Sequence, residues 1–216
     1  MAEINLLESL PKIQRNLDKR SLSSREDKLI AKQFGREFFD GPREQGYGGY
    51  RYDGRWRSVA RRLKEHYGLS EQSRVLDVGC AKGFLLHDLK EEVPGISVAG
   101  IDVSAYAIGE AMDSIRPFVQ VADARALPFP DRSFDLVLSI NTIHNLELQD
   151  LFKSLLEIER VSRAHKFIVV DAYQTEEERE RILKWNLTAE THMYCKDWEK
   201  AFLEVGYQGD YFWFTP

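Results

Sequence analysis

Residues 74–89, RVLDVGCAKGFLLHDL, run a short apolar strand pattern into Gly79 and Gly83 and leave as a helical pattern. A join of this kind turns the chain sharply. Glycine permits the turn because, lacking a Cβ, it takes positive φ and lets another group approach the backbone. A helix beginning at Gly83 presents free N–H groups and a positive dipole end to whatever lies over the turn. Strand, glycine turn and helix are the opening half of a βαβ unit, so the rest of the chain must supply parallel strands and crossover helices.

It does so from residue 74 onward. The runs RVLDVG, SVAGIDV, FVQVADA, FDLVLSI and KFIVVDA read as strands and alternate with helical stretches over 83–92, 104–115 and 146–162. TEEERERILKWN and KDWEKAFLEVGY read as two further helices, and DYFWF as a final strand. The strand runs are almost continuously apolar, as strands are when helices cover both sheet faces. The expected fold is α/β: a doubly wound, mostly parallel sheet of seven strands, or six if THMYC contributes none.

Ahead of this lies a different kind of sequence. In EDKLIAKQFGREFF, Leu29, Ile30, Phe34 and Phe38 recur at helical spacing. DGPREQGYGGYRYDGRW packs five glycines, three tyrosines and three arginines into 17 residues, too much glycine for a regular element. RSVARRLKEHYGL is an amphipathic helix ending near Gly68. Residues 1–68 are therefore read as an N-terminal helical extension with a Gly/Tyr/Arg-rich lid, and residues 69–216 as the core domain.

Composition narrows the partners. A net charge of −5 argues against nucleic acid, whose phosphates call for a basic face. Two cysteines, Cys80 and Cys195, support neither a disulfide framework nor a zinc site, so no metal is expected. No apolar run approaches the roughly 18 residues of a membrane span, and the N-terminus does not read as a signal peptide. The expectation is a cytoplasmic protein.

In an open α/β sheet, ligands bind beyond the carboxyl ends of the strands. The dinucleotide fingerprint G-x-G-x-x-G is not met, because Gly79 and Gly83 stand four apart with no third glycine. An acid is nonetheless in place: Asp102 ends the second strand, where it can accept hydrogen bonds from ribose hydroxyls. One ribose and no pyrophosphate is the ligand this pattern favours over NAD.

Several motifs in order carry a family resemblance over residues 70–175. VLDVGCAKGFLL resembles the first motif of class I S-adenosylmethionine (SAM) dependent methyltransferases, and VAGIDVS their second. VADARALPFPDRSFDLVLSINTIHNL resembles their third and fourth, and LLEIERVSRAHKFIVVDAY the helix and strand that follow. The resemblance implies a Rossmann-like sheet, SAM as cofactor and S-adenosylhomocysteine as product. It implies that Asp77, Gly79 and Gly83 line the cofactor's methionine part, with Cys80 and Ala81 at the turn. Asp102 would bind the ribose and Val103 would pack on the adenine. Asp123 would accept from the adenine amino group, with Ala124 donating its N–H to the ring. Ser139 and Asn141 would face the methyl-transfer centre. Ala81 stands where the family has its middle glycine. Thr142 and Ile143 replace the Pro-Pro that follows the acid or amide in enzymes methylating adenine N6 or glutamine.

The substrate-side candidates are fewer. His144 follows the fourth strand and reads as a general base, a hydrogen-bond partner for substrate, or a structural histidine at a helix start. Tyr47, Tyr50 and Tyr52 could wall a lid, and Arg51 and Arg55 could hold a carboxylate or phosphate by forked hydrogen bonds. Tyr50 and Arg55 are the favoured pair, against a connector whose aromatics pack on the sheet edge. Asp171 and Tyr173 end the fifth strand at the same rim. His192 reads as structural, and Cys80 as a small turn residue despite its place at a helix start.

The expected function is methyl transfer to a small molecule bearing a carboxylate or phosphate, such as a sugar derivative or natural-product intermediate. The alternatives are methylation of RNA or protein, for which Arg51, Arg55, Arg57, Arg61 and Arg62 would have to form one basic face, and a non-catalytic SAM-binding module. Members of the family end in an antiparallel hairpin. With DYFWF alone the sheet would keep a bare edge and invite a homodimer.

Overall fold

Side chains alternate across β1 (Arg74–Val78), and the alternation divides the interior in two. Val75 joins Leu136, Leu138, Phe167 and Val169 on one face of the sheet. Leu76 and Val78 join Val137, Ile168 and Val170 on the other. The computed structural model describes residues 1–11 and 16–216. Residues 12–15 of the expected extension lie outside the described part.

The extension begins with α1 (Leu17–Ser21), α2 (Arg25–Ala31) and α3 (Arg36–Asp40), followed by α4 (Arg57–Tyr67). α2 starts in a capping box between Ser24 and Asp27, and α4 stops at Gly68, which takes φ +62°. The core then runs β1, α5 (Phe84–Glu92), β2 (Ser97–Asp102), α6 (Ala105–Gly109), β3 (Val119–Val121), β4 (Phe134–Ile140), α7 (Leu148–Val161) and β5 (Ser162–Tyr173). It closes with α8 (Glu176–Trp185), β6 (Met193–Tyr194), α9 (Cys195–Glu204) and β7 (Asp210–Phe214).

The strands lie in the order β3-β2-β1-β4-β5, and both remaining strands pair with the far side of β5. β7 runs beside residues 167–171 and β6 beside 172–173. The doubly wound seven-stranded sheet is as expected, and every pairing in it is parallel. The terminal hairpin is replaced: THMYC supplies the two-residue β6, and β7 returns parallel to β5 through the crossover helix α9.

The bare edge does not exist either. The Tyr211 N–H donates to the carbonyl of Ala2 at 3.0 Å, and the Ile4 N–H donates to the carbonyl of Tyr211 at 2.8 Å. Residues 2–4 thus cover β7, and Leu6 and Leu7, just beyond, are buried in the core under α4. The edge that motivated a homodimer is filled from within the chain.

Helix α6 is shorter than the 104–115 expected. It stops at Gly109, a poor helix residue, and Ile115 swings in to pack over Gly83, where a Cβ would lie 2.5 Å from its Cγ2.

The extension crosses the carboxyl ends of β1 and β2. At one side Ser104 Oγ donates to the carbonyl of Phe34 at 2.5 Å, and Lys82 Nζ donates to Asp40 Oδ2 at 2.5 Å. At the other, Lys32 pairs with Glu190 at 2.6 Å, and the guanidiniums of Arg20 and Arg43 lie over the Trp185 ring at 4.8 and 5.3 Å. Residues 34–50 therefore form a roof fastened on two sides. No helix among the described residues is long and apolar enough to cross a membrane.

Candidate active site

The turn after β1 is built as its glycines suggest, with one difference. Gly79, Ala81 and Gly83 all take positive φ, at 86°, 49° and 75°. The N–H groups of Gly79 and Cys80 donate to the Ile101 carbonyl at 2.8 and 2.9 Å, tying the turn to the end of β2. The space a Cβ would need at Gly79 is filled by the Thr142 side chain, so the missing atom admits a protein group rather than a ligand. Cys80 is buried, and a Cβ on Gly100 would lie 2.7 Å from its Sγ. Burial, with Asp77 and Asp102 nearby, pushes its thiol well above the ordinary value, so it is packing and not a nucleophile.

Asp102 is the hub. Its Oδ2 accepts the Ala81 N–H and its Oδ1 the Ser104 N–H, each at 2.8 Å. A carboxylate oxygen has two lone pairs, so one on each oxygen is left over, the acceptor pair two ribose hydroxyls require. Burial pushes its carboxyl up, and the two backbone donors hold it back. Val103, beside it, leaves 59% of its surface open, an apolar patch that would accept an aromatic ring.

Asp77 is 5% exposed, and no group among the described residues donates to its carboxylate. Burial, with the Asp102 charge second, pushes its carboxyl up to about 7. Such a group lacks a cation, and the ammonium of an amino-acid ligand would supply one. Asn141 takes φ +53°, and its Oδ1 is buried without a partner among the described residues. A strained residue with an orphaned acceptor at the rim of β4 fits a bound polar group. These features fit SAM.

Other cofactor candidates come out differently. The Asp123 carboxylate is gripped by Arg125, whose Nη2 lies 2.5 Å from Oδ2 and which reaches Asp150 at 2.7 Å. An adenine amino group would have to use the lone pairs Arg125 leaves. Ala124 packs at the edge of the core next to it. Ser139 is fully buried, with an unpartnered hydroxyl. Strand parity is the reason: it points with Val137 to the α7 face, while Asp77 points with Val75 to the other.

The roof corrects the substrate-side readings. Arg55 is held by Asp53 through Nε and Nη2 at 2.6–2.9 Å, so its fork is already filled. Tyr50 stacks on Phe84 with ring centroids 4.9 Å apart, a packing role. Burial and the charges of Tyr47 and Asp77 push its hydroxyl far up. Tyr52 donates to Asp88 at 2.6 Å, and Arg51 is exposed. Tyr47, named as a lid wall but not among the favoured pair, behaves unlike the rest. Burial pushes its hydroxyl up to about 12, yet 44% of its surface is open. The charges of Asp102 and Asp171 push its hydroxyl further up, and those of Arg43 and Arg20 pull it down.

His144, just past β4, is 4% exposed, and its Nδ1 accepts the Asp171 N–H at 3.0 Å. Nδ1 therefore carries a lone pair, and the neutral ring bears its proton on Nε2, which has no partner among the described residues. Asp171 in turn accepts from Asn186 Nδ2, and its carbonyl accepts the Trp198 indole N–H at 3.1 Å. Tyr173 packs on Tyr194, and its hydroxyl donates to the carbonyl of His192. Burial lowers the pKa of His192, and its Nε2 is buried without a partner among the described residues.

A family model described as a methyltransferase domain matches residues 75–165. A sterol 24-C-methyltransferase of Gibberella zeae is 28% identical over 151 residues, 61% of this chain and 38% of its own length. An arginine-hydroxylase, NDUFAF5 of Rattus norvegicus, is 32% identical over 110 residues, 46% of this chain and 31% of its own. A malonyl-[acyl-carrier protein] O-methyltransferase of Geobacter sulfurreducens is 34% identical over 95 residues, 42% of this chain and 35% of its own. The chain thus spans about a third of the length of these relatives. A SAM-dependent methyltransferase structure from Archaeoglobus fulgidus matches 80% of this chain and 72% of its own at 22% identity, with a TM-score of 0.55, which speaks for the fold.

Proposed function

We propose that the chain, whose residues 75–165 match a methyltransferase-domain model, is a class I SAM-dependent methyltransferase that moves a methyl group from SAM to a small molecule bearing a carboxylate or phosphate. The observation that carries this reading is the Asp102 carboxylate, tied on one lone pair of each oxygen and free on the other, beside the unpaired Asp77. When bound, the cofactor supplies an electrophilic methyl on a sulfonium.

The chain's own residues have three tasks. Asp102 and Asp77 hold the ribose and the amino-acid end. The roof over residues 34–50 keeps water away and fixes the approach, the main protein contribution to a displacement on so reactive a centre. His144 offers an Nε2–H donor. It is not arranged to take a proton, so an acceptor that is already ionised suits this site better than one needing a base.

A small acceptor is favoured over RNA or protein by the state of the arginines that would form a basic face. Arg55 pairs with Asp53, Arg57 with Asp88, Arg61 with Glu92 and Arg62 with Glu8. Only Arg51 of that group lacks an acidic partner among the described residues. The malonyl-carrier relative, named for O-methylation, supports an oxygen acceptor.

Calorimetric titration with SAM and S-adenosylhomocysteine tests the first half. Folded protein without micromolar affinity for either would end the reading. A panel of carboxylate and phosphate acceptors with radiolabelled SAM tests the second. Binding without turnover on any acceptor would favour a non-catalytic SAM module.

A further inference from the structure

The extension carries two guanidiniums outside any ion pair among the described residues, Arg20 on α1 and Arg43 in the roof. Both lie over the Trp185 ring. The charge of Glu44, which lies 3.9 Å from Lys19, acts on both from a distance. Arg20 gives its Nη1 to the carbonyl of Arg43 at 2.5 Å and its Nη2 to that of Gly46 at 3.2 Å. Its Nε is buried without a partner among the described residues. Arg43 spends Nη1 on the carbonyls of Gly46 and Tyr47 at 2.9 and 3.0 Å. That leaves its Nε–Nη2 edge without a partner among the described residues, and this edge can offer two parallel N–H bonds to a carboxylate or phosphate.

We propose that the Nε–Nη2 edge of Arg43, backed by Arg20 and the open face of Tyr47, is the seat for the acceptor's anionic group. The inference rests on the methyltransferase reading and adds to it the residues that select the substrate. Burial first, and the Arg43 charge second, lower the pKa of Arg20 to about 10 against the opposing charge of Glu44, so a further anion on the pair would be welcome. The carbonyls that hold both guanidiniums fix their direction in advance, so an incoming anion meets oriented donors. The forks expected at Arg51 and Arg55 are thus supplied by two residues from other parts of the extension.

The test is titration of the full-length protein, saturated with S-adenosylhomocysteine, with inorganic phosphate in one arm and malonate in the other. Sodium chloride of equal ionic strength is the control. Trp185 fluorescence and calorimetry are the readouts. One of the two anions should bind saturably. Arg43→Gln and Arg20→Gln should each weaken it about tenfold or more, the scale of a lost charged hydrogen bond. Arg43→Lys, which keeps charge but not the fork, should fall between. Affinity for S-adenosylhomocysteine should stay unchanged in all three variants and serves as the check on folding.

Absence of saturable binding to the wild type in both arms overturns the proposal, as does undiminished binding in Arg43→Gln. Either result with S-adenosylhomocysteine binding intact leaves the methyltransferase reading standing. Loss of S-adenosylhomocysteine binding in the wild type would strike that reading instead.

Discussion

The backbone N–H of Asp171 donates to Nδ1 of His144 at 3.0 Å, and this bond decides what the imidazole can do. A ring whose Nδ1 already accepts has its proton on Nε2. Long-range 1H–15N spectra of protein labelled at its five histidines should show one ring locked as the Nε2–H tautomer, lost in His144→Ala. With an acceptor in hand, His144→Ala should lower kcat/KM by about tenfold, the scale of one hydrogen bond. A loss on the order of 10²–10⁴ would identify a general base and contradict the assignment.

Asp102→Asn should weaken S-adenosylhomocysteine roughly a hundredfold, since charged hydrogen bonds are worth about 1.5–3 kcal/mol each. The substitution also sets an amide N–H against one of the two backbone donors, Ala81 or Ser104. The melting temperature should therefore fall alongside the affinity. Unchanged calorimetric affinity would remove Asp102 from the ribose site.

Asp77 makes stability and binding respond oppositely to pH. Its folded pKa of about 7 exceeds the ordinary 3.8, so between those values the folded state keeps a proton that the unfolded chain has released. Stability from this group is present below about pH 4 and drains as pH rises through 7, by roughly 4 kcal/mol at most. Asp77→Asn should melt above the wild type at pH 8 and with it at pH 4. Affinity for a cationic amino-acid ligand should rise through pH 7 in the wild type and stay flat in the variant. Parallel melting curves at both pH values would refute the assignment.

The Lys82–Asp40 bond fastens the roof to the glycine turn, with the Tyr106 hydroxyl on the same carboxylate oxygen at 2.7 Å. Burial pushes the Asp40 carboxyl up, but Lys82 and Tyr106 outweigh it and hold it below the ordinary range. Asp40→Ala would leave a lysine that is 8% exposed without its anion, at a cost of about 3–5 kcal/mol. Limited proteolysis within residues 34–50 should speed up. Asp40→Ala with Lys82→Met should regain much of the stability, and a double variant no better than the single would show the pair to be inconsequential.

Gly79→Ala should be poorly tolerated for two separable reasons. Positive φ costs a non-glycine residue about 1–2 kcal/mol, and the new methyl overlaps Thr142. Thr142→Ala should rescue only the second part, so a double-mutant cycle by chemical denaturation should show positive coupling. Strict additivity would mean that Thr142 yields freely.

The sheet was legible because its signals are local. Continuous apolar runs place β1, β2, β4, β5 and β7, and the glycine spacing marks the turn that Asp102 ties at the end of β2. What escaped has no local signal. Arg55 resembled a fork for an anion, yet Asp53, two residues away, fills it. Arg20 and Arg43 stand 23 residues apart, and only the packing of α1 against α8 brings both over Trp185. Ser139 was assigned to the site by its position at a strand end, but alternation of side chains sends it to the far face. The α9 crossover that makes β7 parallel could not be read from DYFWF, since strand direction depends on where the preceding helix packs.

Residues 2–4 pair with Tyr211 across almost the whole length of the sequence. That contact can form only once β5 has accepted β7, so closure of this margin is a late, non-local event in folding. Until then Leu6 and Leu7 have no shelter, and an incomplete or stalled chain would carry both a sticky strand and a greasy tail. A tag or fusion joined at Met1 would press on this final step far more than one placed at the Gly95 turn.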